Sequence, residues 1–232
     1  EIEKDTQSVE YAKFIVRPLE RGFGVTLGNS LRRILLSSMM GSAVTAVKFD
    51  GVLHEFSTLP DVLEDVSDII LNLKQVRFRQ FNSDVLTLRI SKKGPGVVTA
   101  ADILATDKIE ILNPHQHIAT LGNNANFNAE LIVSYGRGYA PVENSNEDLL
   151  VGFIGVDALH SPIRKVNYSV SNARVGQRTD YDALALEIWT DGSLKPEEAV
   201  SLASKILKEQ LQIFLTFDES LELAVITNPI EN

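Results

Sequence analysis

The sequence predicts an α+β fold with largely antiparallel sheets. Short segments of alternating apolar and polar residues recur along it, as at Leu86, Leu88 and Ile90, the period of a half-buried strand. Turn residues punctuate them: Asp50-Gly51, Asn82-Ser83-Asp84, Gly122-Asn123-Asn124, Gly136-Arg137-Gly138 and Asp191-Gly192. A few stretches with helical spacing interrupt these runs of strands, which is the pattern of segregated helices and hairpins.

Residues 11–19 read as a first strand ending near Pro18, and Glu20-Arg21-Gly22-Phe23-Gly24 as a turn. A helix is expected over 26–40, with Gly41 as its stop. A strand follows over 43–50. Residues 58–75 read as a second helix, because Val62, Val66, Ile69, Ile70 and Leu73 recur at helical spacing and Thr58 stands three before Asp61, as in a capping box. Strands are expected at 76–81, 85–91, within 108–139, at 163–170 and at 183–190, with a mobile acidic loop at 143–148. Pro196, Glu197 and Glu198 suit the first turn of a last helix over 196–217. Its predicted apolar face is Ala199, Leu202, Ala203, Ile206 and Leu207.

Composition narrows the function. With 232 residues, 44% hydrophobic and 23% charged, the chain can bury one large core or two small ones. A net charge of −9 argues against a protein whose main work is neutralising phosphates. The absence of cysteine rules out disulfides, thiolate zinc sites and cysteine catalysis. No apolar run approaches the roughly 18 residues of a membrane span, and no signal peptide is expected.

Two helices carry apolar residues where a surface helix should be polar. On the first, Leu27, Leu31, Ile34 and Leu35 make one stripe. Leu36 falls roughly opposite, with Arg33 and Met40 nearby. Two readings fit: a helix buried on both sides within one domain, or a face for a partner, since arginine beside apolar groups is an interface composition. On the last helix Ile213, Phe214, Leu215 and Phe217 spread around the circumference. They demand burial, either on the chain's own sheet or in another subunit.

Little points to chemistry. Gly22, Gly24 and Gly28 between a strand and a helix suggest a phosphate cradle, but the spacing misses the dinucleotide fingerprint and lacks a Gly-Lys-Ser/Thr ending. The simpler reading is close packing of helix on strand. His115 and His117 could share one face of a strand as metal ligands, yet no third ligand is indicated. His54 and Glu55 are adjacent and point to opposite faces of an extended segment. The basic pairs Arg32-Arg33, Lys92-Lys93 and Arg164-Lys165 lack interleaved aromatics. A nucleotide-using enzyme and a stand-alone nucleic-acid binder stand as the alternatives to an interaction protein.

LERGFGVTLGNSLRRILLSSMMGSAVTAVKFDGVLHEFST, residues 19–58, closely resembles the bacterial RNA polymerase alpha subunit. EDVSDIILNLK at 64–74, VTAADI at 98–103, GRGY at 136–139, VDA at 156–158, Ser161-Pro162, ARV at 173–175, QRTD at 177–180 and PEEA at 196–199 continue the match in order. The resemblance implies the N-terminal assembly domain of that family, without an active site of its own. It implies a discontinuous dimerisation subdomain, 1–40 plus 163–232, made of an antiparallel sheet and two long helices. A mainly β subdomain, 41–162, is inserted in it. Phe23, Ile34, Leu211, Phe214 and Leu215 would serve a homodimer. Arg33 and Leu36 match positions that bind the beta subunit, and Lys74 and Val156 positions on the beta-prime side. No cofactor is implied in this chain, since the catalytic magnesium belongs to beta-prime. A cytoplasmic, nucleoid-associated location and no membrane contact are implied as well. Family members carry a linker and a DNA-binding domain beyond the point where this chain stops, so no direct DNA contact is expected. Met40 stands where the family often has proline, which predicts a slightly longer first helix. Pro95 and Val97 also depart from the common pattern, and a locally different loop is expected there.

Overall fold

A computed structural model describes residues 8–142, 151–175 and 178–216. In chain order, β1 (Tyr11–Leu19) precedes α1 (Phe23–Ser38) and β2 (Met40–Phe49). Next come α2 (Val66–Leu73), β3 (Phe78–Gln80), β4 (Leu86–Lys93), β5 (Gly96–Thr99), β6 (Ile103–Leu104) and β7 (Ile109–Ile111). They lead to β8 (His117–Leu121), β9 (Asn126–Arg137), β10 (Tyr139–Ala140), β11 (Ile154–Gly155) and β12 (Ala158–Leu159). β13 (Ile163–Val175), β14 (Arg178–Thr190) and α3 (Pro196–Gln212) follow, with a 3-10 turn at Ile213–Thr216. The strand pairs among the described residues are antiparallel, as the turn-punctuated pattern predicted.

Two cores result. The first lies on a seven-stranded sheet in the order β6-β4-β9-β2-β3-β7, with β11 on β2. Phe49, Leu88, Ile90, Phe127, Leu131 and α2's Ile69 and Leu73 fill it. The second lies on the sheet β1-β14-β13, where α1 and α3 cover one face. There Leu184, Leu186 and Ile188 are buried at every second position of β14. Leu35, Ala199 and Ala203 from the helices, and Met39 just past α1, form one core with Leu186 and Ile188.

Two arginines tie the cores together. Arg77 donates to the Glu10 carboxylate at 2.7 Å and to the Asp191 carbonyl at 3.1 Å. Arg79 donates to the carbonyls of Gly192 and Ser193 at 2.7 and 3.2 Å. Both therefore hold the turn between β14 and α3.

Several sequence expectations are corrected. α1 spans Phe23–Ser38 and Met40 opens β2, so the first helix starts earlier and does not run on. Met39 leaves helical geometry at ψ 138° to enter the strand. The second helix is only Val66–Leu73. Asp61 has φ 58°, and Asn124 N–H donates to its carboxylate at 2.6 Å, which breaks any helix through 58–65. The cap is Asp65, which accepts from Asp68 N–H at 2.8 Å, while Thr58 bridges back to Asp65. α3 ends at Gln212 and tightens into the 3-10 turn. Leu202 points away from the core, 46% exposed. Residues 143–148 and Phe217 lie outside the described residues.

Candidate functional site

The glycine turn before α1 is already occupied by the chain itself. Gly22 takes φ 91°, a conformation natural to glycine. The N–H groups of Gly22 and Gly24 both donate to Oδ2 of Asp182, at 2.9 and 3.0 Å. Asp182 is buried on β14, so the donors that would cradle a phosphate already hold a carboxylate. A Cβ on Gly24 would lie 2.7 Å from Val170, and one on Gly28 2.6 Å from the Tyr168 ring. Close helix-on-sheet packing is thus what these glycines provide, as the simpler sequence reading held.

The other chemical candidates resolve into structural contacts. His117 Nε2 lies 2.8 Å from Oε1 of Glu64, and Thr120 donates to the same carboxylate from its N–H and hydroxyl. Burial pushes the Glu64 pKa up, but these hydrogen bonds outweigh it and hold the carboxyl below its ordinary value. His54 faces the Ser57 hydroxyl at 3.1 Å, not Glu55. Among the described residues no group of three or more His, Asp or Glu could hold a metal. Lys92 is fixed on Asp102 at 2.7 Å, and Lys165 lies 4.7 Å from the centre of the Trp189 ring. The basic pairs therefore do not form one groove. No described helix is long and apolar enough to cross a membrane.

What is left open is surface. On α1, Leu35 is fully buried and Leu31 and Ile34 are half-buried against the second core. The opposite face exposes Arg33 and Leu36, the latter at 40%, while Phe23, on the side of Ile34 at the helix start, is 49% exposed. Burial of that helix on both sides within the chain is thereby overturned. At the end of α3, Leu211, Ile213, Phe214 and Leu215 are 54 to 71% exposed. Packing of this segment on its own sheet is overturned too. Four large apolar side chains in five residues are uncovered, and scattered surface leucines are no precedent for such a cluster.

A third feature is an open groove of about 700 Å³ beside α2. Lys74 and Val156 both line it, with Leu71, Phe153 and Asp157. The structure thus brings together two residues that stand 82 positions apart in sequence (156 minus 74). Val156 is itself buried and its N–H donates to the Thr45 carbonyl at 2.8 Å, so it forms floor rather than rim. Asp157 accepts from Val142 N–H at 2.9 Å. That bond, the Tyr139 hydroxyl and the charge of Lys74 hold its carboxyl below the ordinary range. Sequence reasoning missed Asp182 and Phe153. Asp182's signal was a pair of N–H donors at the helix start, on Gly22 and Gly24, needing an acceptor, and that acceptor stands about 160 residues away.

The fold defines an α+β chain of antiparallel sheets with two cores, in which the faces of α1 and of the end of α3 leave large apolar side chains exposed. Residues 47–161 match the family model described as the RNA polymerase Rpb3/RpoA insert domain. The chain is 54% identical over 97% of its length to the DNA-directed RNA polymerase subunit alpha of Geobacter metallireducens. It is 56% identical over 91% to that of Desulfosudis oleivorans and 57% over 90% to that of Symbiobacterium thermophilum. The chain belongs to the bacterial DNA-directed RNA polymerase alpha subunit family. It spans 66, 63 and 67% of the length of those three relatives.

Proposed function

We propose that this chain is a non-catalytic assembly scaffold of RNA polymerase, which forms a homodimer and binds the beta and beta-prime subunits. The observation that carries this is the uncovered Leu211, Ile213, Phe214 and Leu215 in a chain of this family. A helix end this apolar is stable in water only when another surface covers it. Phe23, Ile34, Leu211, Phe214 and Leu215 form the dimer contact, and Arg33 and Leu36 take the beta subunit. Lys74 and the Val156 floor of the groove serve beta-prime. The two separate cores support a division into a dimerisation subdomain, 1–40 with 163–232, and an inserted one, 41–162. The catalytic magnesium resides in beta-prime and this chain takes no cofactor. Its contacts are with protein rather than DNA, in keeping with a net charge of −9.

Sedimentation at micromolar concentration tests the dimer. The expected species has twice the chain mass of 25.6 kDa. Phe214→Asp should shift it to monomer, because a carboxylate buried in an apolar interface without a partner is strongly unfavourable. A monomer in the unsubstituted chain would refute the dimer.

A further inference from the structure

A small cleft opens where the two larger sheets meet. It measures about 50 Å³, room for a group of a few heavy atoms when set against the roughly 30 Å³ that one water takes up in the liquid. Lys74 at the end of α2, Arg77 and Asp157 line it from the side of the seven-stranded sheet. Arg164 on β13 and Asp191 just beyond β14 line it from the three-stranded sheet, with Ser161 in the link before β13. The backbone places Arg164 there. Ile163 pairs with Thr190 and Lys165 with Trp189, so Arg164 is the extra residue of a β-bulge, a device that re-aims a side chain. Its neighbour Lys165 lies over the Trp189 ring instead.

Donors and acceptors in this cleft do not balance. Three cations stand beside two carboxylates, Asp157 and Asp191, and both carboxylates are already engaged elsewhere. Asp157 accepts from Val142 N–H at 2.9 Å and from the Tyr139 hydroxyl. Asp191 accepts from the N–H and the hydroxyl of Ser193 at 2.9 and 2.6 Å. Lys74 and Arg164 make no ion pair among the described residues. Arg77 uses only Nη1, on the Glu10 carboxylate and the Asp191 carbonyl, which leaves its Nε and Nη2 open. Ser161 Oγ accepts from Ile163 N–H at 3.3 Å, and no described acceptor takes its own proton. In a chain of net charge −9, this local excess of positive charge and of unmet donors is the make-up of an oxyanion site.

We infer that the cleft is a binding site for a phosphoryl oxyanion, held by Lys74, Arg77 and Arg164 with the Ser161 hydroxyl. The planar guanidinium fork suits two oxygens at once, and the lysine ammonium meets a third as a point charge. A phosphoryl group brings about −1.5 to −2 charge and three strong acceptor oxygens, more than a carboxylate offers to these donors. The size of the cleft admits free phosphate or the terminal group of a phosphate ester, not a whole nucleotide. Because its residues come from both sheets, a bound anion fastens one to the other, beside the contacts of Arg77 and Arg79. The inference is independent of the assembly reading, since every residue of the site belongs to this chain.

The test is titration of inorganic phosphate with the whole chain at constant ionic strength, read by the phosphorus NMR line width. Adenosine monophosphate and acetate are titrated in parallel. Arg164→Ala and Ser161→Ala are compared with the unsubstituted chain, and Lys93→Ala, outside the cleft, is the charge control. Thermal midpoints without ligand check that each variant folds. Saturable phosphate binding is expected in the unsubstituted chain. Arg164→Ala should weaken it about tenfold or more, the loss of a charge-assisted hydrogen bond, and Ser161→Ala a few-fold. Lys93→Ala should leave it unchanged. Equal binding of adenosine monophosphate would identify the terminal group of an ester as the ligand, and binding of phosphate alone the free anion; both support the site. No saturation by about 10 mM phosphate, or normal binding in both cleft variants, would overturn it. So would a loss in Lys93→Ala as large as in Arg164→Ala, which would make the attraction one of general charge. Acetate binding as tightly as phosphate would overturn the assignment to a phosphoryl group.

Discussion

A single carboxylate decides how the first helix begins. Asp182 accepts from Gly22 and Gly24 N–H, two of the donors that a helix start leaves unpaired. Asp182→Ala should therefore destabilise the chain by about 1–3 kcal/mol, because both donors lose their partner. Asp182→Asn, which keeps an acceptor oxygen, should recover part of that, and urea midpoints measure both. His160 is a second buried polar group. Its Nδ1 has no partner. Burial pushes its pKa down, more than a hydrogen bond with the Gly41 backbone raises it. The unfolded chain thus takes up the proton first as pH falls. Stability from this source is complete above the ordinary histidine value of about 6.5. It declines as pH drops from there through the lower folded pKa. His160→Gln should flatten that part of a urea-midpoint profile against pH. An unchanged decline in the variant would assign it to other groups.

At the scale of elements, α1 owes its position to small residues. Gly28 lets it approach Tyr168 and Leu184 on the sheet, where a Cβ would come within 2.6 to 3.0 Å. Gly28→Ala should cost about 1–3 kcal/mol through overpacking, read as a lower urea midpoint with an unchanged slope. Strands and the existence of the helices were legible in the sequence because they follow local periodicity. Leu86, Leu88 and Ile90 alternate, and β4 buries all three. The boundaries of α1 and α2 were not legible, because distant partners set them. Asn124 holds Asp61 in a left-handed turn, and Asp182 sets the start of α1 from the far end of the chain. Gly22 and Gly28 looked like a phosphate site only while Asp182 was out of view.

For the whole molecule, the exposed apolar residues are what remain after two cores have formed. Leu36 and the Leu211–Leu215 cluster were visible in the sequence as apolar positions on the wrong face. That they stay uncovered in one chain, at 40% for Leu36 and 54 to 71% for Leu211, Ile213, Phe214 and Leu215, required the fold. Lys74 and Val156 were attached to a partner only by resemblance, and their shared groove is formed between α2 and the segment Phe153–Asp157 around β11. The most direct test of the scaffold account is native mass measurement after mixing the chain with purified beta and beta-prime. The account predicts one complex holding two copies of this chain with one of each large subunit. Free monomeric chain beside unassembled beta and beta-prime would contradict it.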